Sequence, residues 1–187
     1  MTTFRLDDFR QHSDLLHLRS GKAMTVRFVE PRDAGALQGF FRALTVRSRY
    51  NRFLGAISEL PATELDRFIQ VGEAGRFSVV AVMDIDGAET IVAEARYDDR
   101  WQGHGVGWAL LKNLECRAAA FGAERLFGDT LRSNDAMLGL ARKSGFAFTN
   151  SPGDWKLVRF EKHIEIAPQE IPCASWRIAA QQPAVHA

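Results

Sequence analysis

Apolar positions along the chain recur with a period near two in some stretches and near 3.6 in others. Leu15–Arg19 and Met24–Val29 read as two strands of a hairpin around Ser20-Gly21-Lys22. Asp33 is the expected cap of a helix on which Leu37, Phe40, Phe41 and Leu44 share a face. Pro61 suits the first turn of a second short helix, with Leu65, Phe68 and Ile69 inward. Phe77–Ile85 is a continuous apolar strand, Asp86-Gly87 a turn, and Ile91–Tyr97 the returning strand. After a glycine-rich stretch, Leu110, Leu111, Leu114, Ala118 and Phe121 form one helical stripe that Gly122 ends. Lys112, Asn113, Glu115 and Arg117 then fall on the opposite, polar side of that helix. Arg125–Thr130 reads as a strand. A helix follows over about Asp135–Ser144, with Asn134 as N-cap, Met137, Leu140 and Ala141 inward and Gly145 at its end. Phe146–Thr149 and Trp155–Ile164 make a last hairpin across Ser151-Pro152-Gly153-Asp154.

These elements predict an α/β (α+β) domain over residues 14–164, between a polar segment, 1–13, and a loose tail, 165–187. A chain of 187 residues suits one such domain. The net charge of +1 supplies no long-range field for a nucleic-acid partner. No apolar run reaches the roughly 18 residues of a membrane span, which predicts no membrane partner. Asp7, Asp8 and Asp14 sit where a secretory signal would be apolar, so the expected location is cytoplasmic. Two cysteines make no disulfide framework, and Cys116 is expected to be a small filler in its helix. The five histidines are scattered and show no metal-ligand spacing, so no metal is expected. Arg42, Arg47, Arg49 and Arg52 cluster, either as a solvated face or as a site for an acidic ligand.

The chemistry concentrates in Gln102-Gly103-His104-Gly105-Val106-Gly107-Trp108, at the start of a helix. The first amides of a helix lack intrahelical acceptors, and the dipole adds positive potential there. Glycines let the backbone approach an anion closely, so a phosphate is the natural occupant. A P-loop is excluded because no Lys-Ser or Lys-Thr follows the glycines. A dinucleotide fingerprint fits poorly: Trp108 holds its third glycine position, and Asp98-Asp99-Arg100-Trp101 is too polar for a buried strand. A glycine-rich connection without a ligand is the remaining alternative.

Gln102-Gly103-His104-Gly105-Val106-Gly107 matches the Q/R-x-x-G-x-G/A loop of the GNAT N-acetyltransferase superfamily at every defined position. Asn134-Asp135-Ala136-Met137 through Lys143-Ser144-Gly145-Phe146 resembles that family's "N-x-x-M … G-F" segment, and Val26–Asp33 its first strand and helix entry. The run Arg47–Phe53 is similar to bacterial members related to the acetyltransferase domain of protein lysine acetylases. The resemblance spans roughly residues 14–164. It implies a mixed, mostly antiparallel sheet flanked by helices, with acetyl-CoA as cosubstrate. Its pyrophosphate would lie on the amides of residues 102–108, and its pantetheine arm between two splayed strands. Asn134 would hydrogen-bond the cosubstrate as well as cap its helix, and the arginine cluster or His104 could meet phosphate. An amine acceptor, small molecule or protein lysine, would attack the thioester directly.

Two departures from that pattern bear on activity. Only two strands precede the glycine loop where the family has three, so the sheet is expected to be one strand short. Glu94, between Ala93 and Ala95, is the candidate for taking the amine's proton; strand alternation also allows it to be a solvent-facing residue. The second helix offers no tyrosine to protonate the leaving thiolate, a role left unfilled or given to water. Two functions therefore stand side by side: an acetyl-CoA-dependent N-acetyltransferase, and a degenerate module that senses acyl-CoA or binds a partner. An unpaired sheet edge would invite a homodimer.

Overall fold

The computed structural model describes residues 13–18, 21–53, 57–69, 78–94, 96–97, 105–120, 123–152, 154–164 and 173. Strands β1 (Asp14–His17) and β2 (Ala23–Phe28) form the expected hairpin, in register from Asp14–Val26 to His17–Ala23. A 3₁₀ turn, Pro31–Asp33, leads into α1 (Ala34–Ala43), which buries Leu37, Phe40 and Phe41. Helices α2 (Val46–Phe53) and α3 (Ala62–Ile69) follow. Leu65, Phe68 and Ile69 pack against the core from α3. Asp33 does not cap α1 with its side chain. Its carboxylate instead accepts hydrogen bonds from Arg27 at 2.7 and 2.9 Å and from the Glu30 amide at 2.8 Å. Burial acts to raise the Asp33 pKa, but the Arg27 and Glu30 hydrogen bonds and the Arg27 charge hold it below the ordinary carboxylate value.

Strands β3 (Val79–Ile85) and β4 (Ala88–Glu94) pair antiparallel around Asp86 and Gly87, both at positive φ, a geometry that suits a two-residue hairpin turn. Val79–Met83 and Ile91–Glu94 are buried at every position, so both faces of the sheet are covered. Helix α1 packs on β4, while α4 (Val106–Ala120) packs on β3, β4 and β5 (Arg96–Tyr97). The register shifts between Ala81 and Val82, which leaves Val92 without a partner on β3.

The expected strand Ile91–Tyr97 is in fact two pieces. After Glu94 the chain reverses, and Arg96–Tyr97 returns antiparallel along β4, with Ala93 opposite Tyr97. Among the described residues the third strand is represented by Arg96–Tyr97. The reversal supplies the change of direction that a simple deletion from the meander would have lost.

The first sheet has the order β1-β2-β3-β4-β5. The second contains β6 (Arg125–Leu131), β7 (Ala147–Asn150) and β8 (Leu157–His163) in the order β6-β8-β7, with α5 (Asp135–Lys143) between β6 and β7. Gly128 on β6 faces Phe160 on β8; a Cβ there would lie 2.6 Å from the ring, so no side chain fits. In α5 the buried residues are Leu138 and Ala141; Met137 and Leu140, expected inward, are half-buried.

Two expectations fail on α4. Asn113, Glu115 and Arg117 do not form a solvated side but are buried at 0, 3 and 0 % exposure. The helix is covered on several sides, so a single-stripe reading cannot describe it. Cys116 is not a lone filler either. It forms a disulfide with Cys173, overturning both the no-disulfide expectation and the loose-tail reading at that residue. Residues 1–12 and the rest of 165–187 lie outside the described residues, as do Phe121 and Gly122.

Candidate functional site

The site begins where α4 begins. The Gly105 carbonyl accepts the Ala109 amide at 2.9 Å, the first turn of the helix. Val106, Gly107 and Trp108 open the helix, and N–H groups at that position lack intrahelical acceptors. Gly105 has φ +86°, a left-handed conformation that side chains disfavour, and a Cβ there would meet no described atom within 4 Å. The glycine is thus required by backbone shape. Val106, Ala109 and Leu110 are buried and fix this end of the helix to the core, whereas Trp108 is 37 % exposed. The leading amides of a helix and its positive potential fit a phosphate group. Gln102, Gly103 and His104 lie outside the described residues, as does Asp98–Trp101.

The other end of α4 is fixed by buried polar groups. The Arg117 guanidinium donates to Asp14 Oδ2 at 2.8 Å and to the Val26 carbonyl at 3.2 Å, and its Nε donates to Asn113 Oδ1 at 2.7 Å. Asn113 Nδ2 donates to the same Asp14 oxygen at 2.9 Å, and the guanidinium lies 4.5 Å from the Phe28 ring centroid. Burial pushes the Arg117 pKa down, opposed by the Asp14 carboxylate. These contacts lock the helix onto β1 and β2. Periodicity missed them because all three polar residues looked like surface.

Glu94 ends β4 at 6 % exposure and sits opposite Val80 and Arg96. The solvent-facing alternative fails, since both faces of this strand are covered. Glu94 therefore lies on a strand that α4 covers.

Asn134 lies at the entry to α5, beside the second sheet. Its Oδ1 accepts the Met137 amide at 3.3 Å, as expected of an N-cap, and its Nδ2 donates to Thr130 Oγ1 at 3.1 Å. One amide hydrogen and one lone pair remain beyond these two bonds. Thr130, buried at 4 % exposure, was not singled out in the sequence; nothing there marks it as the residue that orients Asn134. Of the clustered arginines, Arg42 pairs with Glu59, and Arg49 donates to the carbonyls of Arg42 and Leu44 at the end of α1. Arg47 is exposed. Among the described residues there is no group of His, Cys, Asp and Glu able to hold a metal ion.

Residues 73–146 match the model of the acetyltransferase (GNAT) family. The chain is 25% identical over 152 residues to an acetyltransferase of Pseudomonas aeruginosa, covering 73% of this chain and 82% of that protein. Its fold is similar to the GNAT domain of S. lividans PAT: TM-score 0.66, 24% identity, 81% of this chain and 96% of that one. It is also similar to a ribosomal-protein-S5-alanine acetyltransferase from Vibrio fischeri: TM-score 0.58, 16% identity, 78% and 95% of the two chains. A cAMP-binding acyltransferase from Mycobacterium smegmatis shares the fold at TM-score 0.54 and 20% identity, with 89% of this chain matching 52% of that one. The glycine turn at the head of α4 thus lies within the segment that matches the acetyltransferase (GNAT) family model, and its two-sheet setting is similar in fold to a GNAT domain.

Proposed function

We propose that this chain is an N-acetyltransferase that moves an acetyl group from acetyl-CoA to a primary amine, on a small molecule or a protein lysine. One observation carries the reading: a left-handed Gly105 opens α4, so the first amides of the helix follow directly on a glycine turn. The amides of Val106, Gly107 and Trp108, with Gln102, Gly103 and His104, would hold the pyrophosphate. Asn134 would use its spare amide hydrogen toward the pantetheine arm. The thioester supplies an activated acyl carbon; the amine nitrogen bonds to it as the carbon–sulfur bond breaks, and the departing thiolate takes a proton from water. Glu94 would take the proton the amine loses, directly or through water. No metal enters this scheme, and the working location proposed is the cytoplasm. Among the described residues no helix is long and apolar enough to cross a membrane.

A second reading, a module that binds acyl-CoA or a partner without turnover, is favoured by one observation. Among the described residues β5, the strand before the glycine turn, is two residues long. Two measurements separate the readings. Gly105→Val, which places a branched side chain at positive φ, should abolish acetyl-CoA binding in calorimetry while circular dichroism shows a folded protein. Unchanged affinity in a folded variant defeats the amide site. Thiol release from acetyl-CoA with a panel of amines should then report turnover; binding without release with any amine would favour the sensing module.

A further inference from the structure

The molecule divides into two halves that do not share one apolar core. The main cluster runs from Leu16 to Leu110 and draws on the first sheet, α1 and α4; the described apolar residues of β6, β7, β8 and α5 are outside it. Among the described residues, the following contacts tie the second half back. Helix α2 touches β6. Lys162 on β8 reaches Glu115 on α4 at 3.1 and 3.2 Å and donates to the Ser144 carbonyl at 3.0 Å. The residue after Glu115 is Cys116, whose disulfide to Cys173 spans 57 positions of sequence. That covalent loop contains all of β6, α5, β7 and β8. The ion pair and the disulfide therefore leave adjacent residues of one helix; the ion pair ends on β8, and the disulfide ends on Cys173, downstream of β8 in sequence.

We infer that the Cys116–Cys173 bond is a redox-operated brace that sets how the second sheet docks on α4. This rests on the proposed acetyl-CoA site, because Asn134 and the α4 amides lie on the two halves the brace joins. With the bond intact, the second half is held by a covalent link that water cannot compete for. With the bond open, the Glu115–Lys162 pair and the α2–β6 contact remain. Disulfides persist in oxidising compartments and are reduced in the cytosol, so the state of this bond follows its surroundings. Opening it is thiol–disulfide exchange with a dithiol reductant. One thiolate attacks a cysteine sulfur and breaks the S–S bond, and the second thiol resolves the mixed disulfide. Two protein thiols form while the reductant leaves as its own disulfide. Both cysteines are buried, at 1 and 5 % exposure, so exchange waits on local opening and is slow in the folded protein.

The test compares the full chain oxidised, reduced with dithiothreitol, and carrying Cys173→Ala. Thiol titration in denaturant should find none before reduction and two after it, since the chain has two cysteines and neither is free. Amide hydrogen exchange across β6, β7, β8 and α5 should quicken on reduction, while β2 and β3 keep their protection. Acetyl-CoA affinity should fall at least about fivefold, within the usual range of such coupling. Cys173→Ala should behave as the reduced protein does and no longer respond to dithiothreitol. Exchange in the second half that is equal in all three forms overturns the brace, as do two titratable thiols in the oxidised sample. No acetyl-CoA binding in any form, alongside an intact exchange response, defeats the proposed function and leaves the brace standing.

Discussion

Glu94 shows how far one residue can be read from sequence. Its position on the strand before the glycine loop marks it as a candidate base, but its burial depends on what covers the sheet. An open face would have made it a surface carboxylate; α1 and α4 cover both faces, and the residue is 6 % exposed. If Glu94 takes the proton of the acceptor amine, Glu94→Gln should lower kcat/KM by about 10²-fold, the low end of general-base effects. The loss should be largest at low pH, where less amine is already neutral, and should shrink as pH rises. The pH–rate profile of the variant checks this; wild-type rates across the range would remove Glu94 from the mechanism. Gly105 was more legible, because a left-handed turn before a helix leaves glycine in the sequence itself. Asn134 was half legible: the cap follows from its place before Asp135, but the bond to Thr130 needs the third dimension.

At the level of elements, the hairpins and α5 follow from alternation, turn residues and caps. Helix α4 does not, because it has no solvated side of the ordinary kind. Asn113 and Arg117, four apart, stack on one face and meet Asp14 from a strand almost a hundred residues earlier. Glu115 turns instead to Lys112 and to Lys162 on β8. Polar letters in a helix carry no mark of whether water or another residue will pair with them. A buried pair is costly to break, since the surviving charge stays without its partner. Arg117→Ala should destabilise the fold by about 3–5 kcal/mol, seen as a lower urea midpoint. Replacing both partners with apolar residues, Asp14→Leu with Arg117→Met, should recover most of that loss. A single variant that costs less than about 1 kcal/mol, the usual value of an exposed pair, would show that the network contributes little.

For the whole molecule, the decisive feature is that the described strands form two separate sheets. Counting residues between Tyr97 and Gln102 shows that no full third strand fits before the glycine loop. Among the described residues β5 is Arg96–Tyr97, and residues 98–104 lie outside them. The reversal after Glu94 was not legible, because Ile91–Tyr97 reads as one unbroken strand and contains no turn residue. Its consequence falls on β6. This seven-residue strand is the edge of its sheet, paired with β8 on one side and with no described strand on the other. In an edge strand every second amide points away from its neighbour and exchanges readily with water. Amide exchange along Arg125–Leu131 should therefore alternate between slow and fast positions in the free protein. Acetyl-CoA seated between β5 and β6 should slow the fast positions and leave the slow ones as they are. Two outcomes would count against this picture. Uniform protection along β6 without acetyl-CoA would mean that another segment already completes the sheet there. Bound acetyl-CoA with no change at the fast positions would place it away from β6, and the short strand would then have no bearing on binding.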